Sequence, residues 1–80
     1  MQMIPIRVEC YSGSRADEEP RAVHLGGERL EVEEIVDRWY EGGIEPGEPA
    51  VAYFKVRVGV RTLVVKHDTD HHAWYLMAEG

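Results

Sequence analysis

Apolar and polar residues alternate with a period of two over most of this chain, the pattern of strands that bury one face. From Met3 to Tyr11, Ile4, Ile6, Val8 and Cys10 alternate with Pro5, Arg7 and Glu9. Val23 and Leu25 resume the alternation, Gly26-Gly27 turns the chain, and Leu30 and Val32 continue it. A four-residue loop from Gly26 to Arg29 would set Leu25 opposite Leu30 and Val23 opposite Val32, apolar against apolar.

The phase then slips. Val32 to Ile35 is an odd step, so a continuous strand needs a bulge near Glu33-Glu34 to keep both side chains inside. Residues 33–40 also read as a short helix, with Ile35, Val36, Trp39 and Tyr40 as an apolar stripe ended by Gly42-Gly43. Both readings stand for that segment. Ser12 to Glu19 is a polar loop closed by Pro20, and Glu41 to Pro49 is a second loop rich in glycine and proline.

The last thirty residues give the clearest pattern. Phe54, Val56 and Val58 alternate with Tyr53, Lys55 and Arg57. A turn at Gly59-Val60 places glycine first in a type II′ turn and sets Phe54 opposite Val65 and Val56 opposite Leu63. A loop over Asp68-Thr69-Asp70-His71 would then set Val65 opposite Trp74, Leu63 opposite Leu76 and His67 opposite His72. The expected fold is all-β or mainly β: a small antiparallel meander, residues 51–77 at its centre, curled into a five- or six-stranded barrel or sheet. One short helix near 33–40 is the variant.

Eighty residues make one domain, 1–80, that buries roughly 60% of its unfolded surface. The single cysteine excludes an internal disulfide and a four-cysteine zinc site. No apolar run reaches the roughly 20 residues of a membrane-spanning helix, and the start lacks a signal-peptide pattern, so a cytoplasmic chain with no membrane partner is expected. The net charge of −6 divides unevenly: residues 1–50 carry −7 and residues 51–80 carry +1. That balance argues against non-specific nucleic-acid binding as the default role.

Three features could carry chemistry. The outward positions of the meander hold Tyr53, Lys55, Arg57, Lys66 and Tyr75, bases interleaved with aromatics as on a binding face. Alternating polar residues on a solvated face are the plainer reading. His67, Asp70 and His72 form a two-histidine, one-carboxylate set suited to zinc or nickel, although Asp and Thr are also ordinary turn residues. Trp39-Tyr40 and Trp74-Tyr75 are adjacent aromatic pairs, and on strands each pair splits, one ring inward and one outward. Cys10 falls on the apolar face beside Glu9, which reads as a small core residue and not as a nucleophile. No phosphate loop, serine elbow or paired-carboxylate cleft is present, so no enzyme activity and no cofactor are expected.

The ordered set Glu9-Cys10-Tyr11-Ser12-Gly13, Asp17-Glu18-Glu19-Pro20, Leu25-Gly26-Gly27, Val32, Ile35-Val36-Asp37-Arg38-Trp39, Tyr53-Phe54-Lys55-Val56-Arg57, His67-Asp68 and Trp74 resembles a family of small stand-alone bacterial proteins of unknown function. A similar strand-rich segment is appended to some proteins related to Y-family DNA polymerases. The resemblance implies a compact bacterial domain with no catalytic residues to transfer, and by analogy a place near nucleic acid. Members carry a polar, glycine-containing turn after the Tyr-Phe-Lys-Val-Arg segment, whereas this chain has Val58-Gly59-Val60. The expected role is a non-catalytic module that binds a protein through Tyr53, Lys55, Arg57, Lys66 and Tyr75. Nucleic acid is the second candidate partner for the same face.

Overall fold

The computed structural model describes residues 3–10, 19–42, 50–68 and 71–79. They form seven strands: β1 (Ile4–Cys10), β2 (Pro20–Leu25), β3 (Glu28–Glu31), β4 (Glu34–Gly42), β5 (Ala50–Val58), β6 (Arg61–Asp68) and β7 (Ala73–Glu79). All neighbours pair antiparallel in the order β3-β2-β1-β7-β6-β5-β4. The all-β class expected from the alternation is what the chain adopts, with seven strands in place of five or six. No described residue is helical, and none of the described segments is a helix long and apolar enough to cross a membrane.

Within 33–40 the residues from Glu34 onward are strand, which removes the helical alternative. No bulge sits at Glu33-Glu34. Instead the chain changes partners there: the Val32 N–H donates to the Arg21 carbonyl at 2.9 Å, and the Glu33 N–H donates to the Arg57 carbonyl at 2.9 Å. β3 and β4 are therefore nearly one continuous strand that leaves the β2 ladder and joins the β5 ladder. This step forces the sheet to curl. Seven flat strands would hold their outer members roughly 29 Å apart, whereas the step from Glu31 to Glu34 reaches at most about 11 Å. The bulge lies one turn of the pleat later, between Ile35 and Asp37, leaving Val36 outside the pairing. It turns Ile35 toward the core and Asp37 and Trp39 outward, although all three share one parity in sequence.

The concave face holds the core: Val23, Ala52, Phe54, Val56, Val58, Leu63, Val65, Trp74 and Leu76 are buried, with Ile6, Val8, Cys10, Leu25, Leu30, Val32 and Ile35 packed around them. Cys10 thus takes the packing position its parity suggests. Arg38 lies over the Phe54 ring at 5.2 Å and pairs with Glu19.

The β5–β6 hairpin has the expected register, Phe54 opposite Val65 and Val56 opposite Leu63, with Gly59 at φ 65° opening the turn. The other two hairpins are each displaced by two residues from the expected pairing. Val23 faces Leu30, not Val32, because the turn is only Gly26-Gly27, both at positive φ (59° and 82°), as a type I′ turn requires. Val65 faces Leu76 and His67 faces Trp74, because β6 runs to Asp68 and His72 takes φ 51° before β7 begins.

Candidate functional site

The curl leaves one broad convex face on β4 to β7, and the ladders arrange its side chains in rows. One row runs Trp39, Tyr53, Lys66, Tyr75; the next runs Asp37, Lys55, Val64, Ala78; a third runs Glu34, Arg57, Thr62. All five residues expected on a binding face, Tyr53, Lys55, Arg57, Lys66 and Tyr75, therefore lie on the same side of the sheet. Cross-strand pairs of this kind stand close enough for side chains to interact.

The five do not share one environment. Tyr53 stacks on Trp39, ring centroids 5.4 Å apart and planes 5° from parallel. Its hydroxyl donates to Glu41 Oε1 at 2.8 Å, and that bond, together with partial burial, raises the phenol above its ordinary range. Lys55 is exposed between Asp37 and Val64 in its row. Lys66 reaches the Met3 Sδ at 3.5 Å. Arg57 is held within the chain, donating to Glu33 at 2.8 Å and to Glu34 at 3.4 Å, so its charge is already met. Tyr75 is half-buried at the end of the first row.

Beside the stacked rings lies a shallow groove of about 390 Å³ lined by Trp39, Glu41, Tyr53, Val64, Met77 and Ala78. Met77 enters it through the irregularity in the β6–β7 ladder between Val64 and Val65. Among the described residues of this face, the cations Lys55, Arg57 and Lys66 are offset by Glu34, Asp37, Glu41 and Asp68. The face is aromatic and apolar at its centre and charge-balanced around it.

The histidine set has a different arrangement from the expected one. His67 is buried on the concave face with its ring stacked on Trp74 at 4.1 Å and 4°. His72 is exposed and precedes β7, so the opposed His67–His72 pair is replaced by His67–Trp74. Asp70 lies outside the described residues. Asp68 organises the turn, accepting from the His71 N–H at 3.3 Å and pairing with the His71 ring at 3.0 Å. Among the described residues no three His, Cys, Asp or Glu side chains gather as a metal site.

Only one aromatic pair splits as expected: Trp74 is buried inward and Tyr75 lies outward, whereas Trp39 lies outward and Tyr40, on the inner side by register, is 59% exposed. The juxtaposition of Trp39 with Tyr53 was not legible in the sequence, since it depends on β4 pairing with β5 in a bulged register. A second cavity, about 460 Å³, opens where β1 leaves β7 beyond Ile6 and is lined in part by Arg7, Cys10, His72 and Trp74. No protein-family model, no curated protein and no solved structure matches this chain.

Proposed function

We propose that this chain is a non-catalytic interaction module of the cytoplasm that binds another protein through the convex face of β4 to β7. Trp39, Tyr53, Lys55, Lys66 and Tyr75 are its contact residues, with Arg57 at the margin. The observation that carries this reading is the Trp39–Tyr53 stack beside an apolar groove, with both rings on the outer side of the sheet. Aromatic anchors ringed by balanced charge are the composition of a protein interface.

Nucleic acid fits this face less well. Phosphate binding needs uncompensated cations, and Arg57 is occupied by Glu33 and Glu34 while Asp37 stands opposite Lys55. The test is affinity capture with and without nuclease, using the wild-type chain and the Tyr53→Ala and Lys55→Glu variants after circular dichroism has shown both folded. A partner that survives nuclease and is lost with the variants supports the reading. Capture that vanishes with nuclease, or that persists at full strength with both variants, overturns it.

A further inference from the structure

The ladder between β1 and β7 is the shortest in the sheet. It holds three pairs, Ile4 with Leu76, Pro5 with Tyr75 and Ile6 with Trp74, and stops there. β1 runs on to Cys10 along β2, and β6 holds Ala73, so beyond Ile6 the facing edges of the two strands part without pairing. The cavity of about 460 Å³ opens in that fork. Both sides of the sheet line it: Ile6, Val8 and Trp74 from the core side, Pro5, Arg7 and Tyr75 from the convex side. Small-molecule sites have volumes of about 300–1,000 Å³ and mostly apolar walls with a few polar groups.

Arg7 and His72 supply the polar groups of this fork, and neither is engaged within the chain. Both are exposed, and among the described residues the side chain of each makes no hydrogen bond and no ion pair. Glu9, two residues along β1 from Arg7, is already met by Arg29 and His24. His72 is held at φ 51°, the one positive φ among the described non-glycine residues. A left-handed backbone at such a residue stores strain, and strained positions gather where a side chain is aimed at a ligand. An unpaired guanidinium above apolar walls matches a planar anion, because its fork donates two parallel bonds to one head group.

We propose that the fork between β1 and β7 binds a small organic anion, a carboxylate or phosphate monoester carried on a flat apolar body. The Arg7 fork donates to the oxygens of the head group, and a ring N–H of His72 donates beside it. The body lies in the fork against Val8 and Trp74. The net charge of −6 does not decide against an anion here, since the acid closest to Arg7 along β1 is neutralised within the chain. This site is separate from the protein-binding reading of the convex face and stands without it, although Tyr75 borders both.

The probes are benzoate, phenyl phosphate, benzamide and inorganic phosphate, each titrated into the ¹⁵N-labelled full chain. The expected result is a saturable shift at Arg7 Nε, His72, Ala73 and the Trp74 indole with benzoate or phenyl phosphate, the tighter of the two naming the head group. Benzamide, which is neutral and of the same shape, and inorganic phosphate, which lacks the body, should each bind at least about tenfold more weakly. Arg7→Gln should weaken the aromatic anion about tenfold, and Arg7→Lys, which keeps the charge without the fork, should fall between. His72→Asn, which tolerates the same backbone, should weaken it by a smaller factor. Benzamide binding as tightly as benzoate, or Arg7→Gln binding the anions like wild type, overturns the inference. So does inorganic phosphate binding as tightly as phenyl phosphate, which would make the contact one of surface charge alone. Shifts confined to Lys55 and Lys66, or no saturable shift with either aromatic anion at millimolar concentration, overturn it as well. The comparison of benzoate with benzamide uses the wild-type chain, so it decides even where a variant does not fold.

Discussion

The carboxylate of Glu33 accepts the Gly59 N–H at 2.9 Å, joining residues 26 apart in sequence. Its other oxygen takes Arg57 Nη1 at 2.8 Å, and its own N–H donates to the Arg57 carbonyl. Glu33 thus latches the β5–β6 turn to the point where the chain changes ladders, and the curl of the sheet depends on that point. Glu33→Ala should raise amide exchange at Gly59 by about tenfold, the worth of roughly one hydrogen bond. Glu33→Gln, which can still accept one bond, should fall between. Unchanged exchange at Gly59 in the alanine variant would show that the ladders alone hold the crossing.

Glu9 on β1 reaches across β2 to the border strand. Its carboxylate accepts Arg29 Nε at 2.8 Å and Nη2 at 3.3 Å, and lies 2.6 Å from His24 Nε2. The bonds from Arg29 first and His24 second hold the Glu9 carboxyl down at about 2, against an ordinary 4.5. A lowered carboxyl pKa contributes stability above the unfolded value and loses it as pH falls through the folded one. The urea midpoint of wild type should therefore exceed that of Glu9→Gln at neutral pH, and the difference should fade between pH 4.5 and about 2. A side-chain carbon titration of Glu9 with a midpoint near 4.5 would contradict the bonds described.

The His67 ring lies parallel to Trp74, both buried. His67→Ala opens a cavity against the indole and should cost about 1–3 kcal/mol of stability. In a Trp39→Phe background, which leaves Trp74 as the sole tryptophan, it should also shift the emission to the red. Because the ring faces Trp74 and not His72, zinc added at equimolar concentration should leave the His67 imidazole signals unmoved. A zinc-dependent shift there would restore the metal reading of this hairpin.

The Gly26-Gly27 turn sets the β2–β3 register through its two positive φ angles. Nothing lies within 4 Å of a Cβ built at either position, so a substitution meets only the backbone penalty. Gly27→Ala should lower stability by about 1 kcal/mol. Gly26→Asn should be nearly neutral, since asparagine tolerates the left-handed region. Equal costs for the two variants, read from denaturant midpoints, would mean that the turn tolerates other geometries.

Alternation carried the strands other than β4, the identity of their buried faces and the β5–β6 hairpin, because each depends on neighbours a few residues apart. It placed Tyr53, Lys55, Arg57, Lys66 and Tyr75 on one side of the sheet for the same reason. It did not carry the other two registers. A slip of two residues keeps every side chain on its face, so Val23 opposite Leu30 or opposite Val32 satisfies the pattern equally well. The choice fell to turn geometry, two glycines at positive φ in one hairpin and His72 in the other. The partner change at Val32-Glu33 lay further out of reach. Its hydrogen bonds go to Arg21 and Arg57, on strands from opposite halves of the sheet, and no local pattern encodes such a choice. The Trp39–Tyr53 stack follows from that crossing and from the bulge at Val36, so the centre of the candidate face exists only once the sheet has curled.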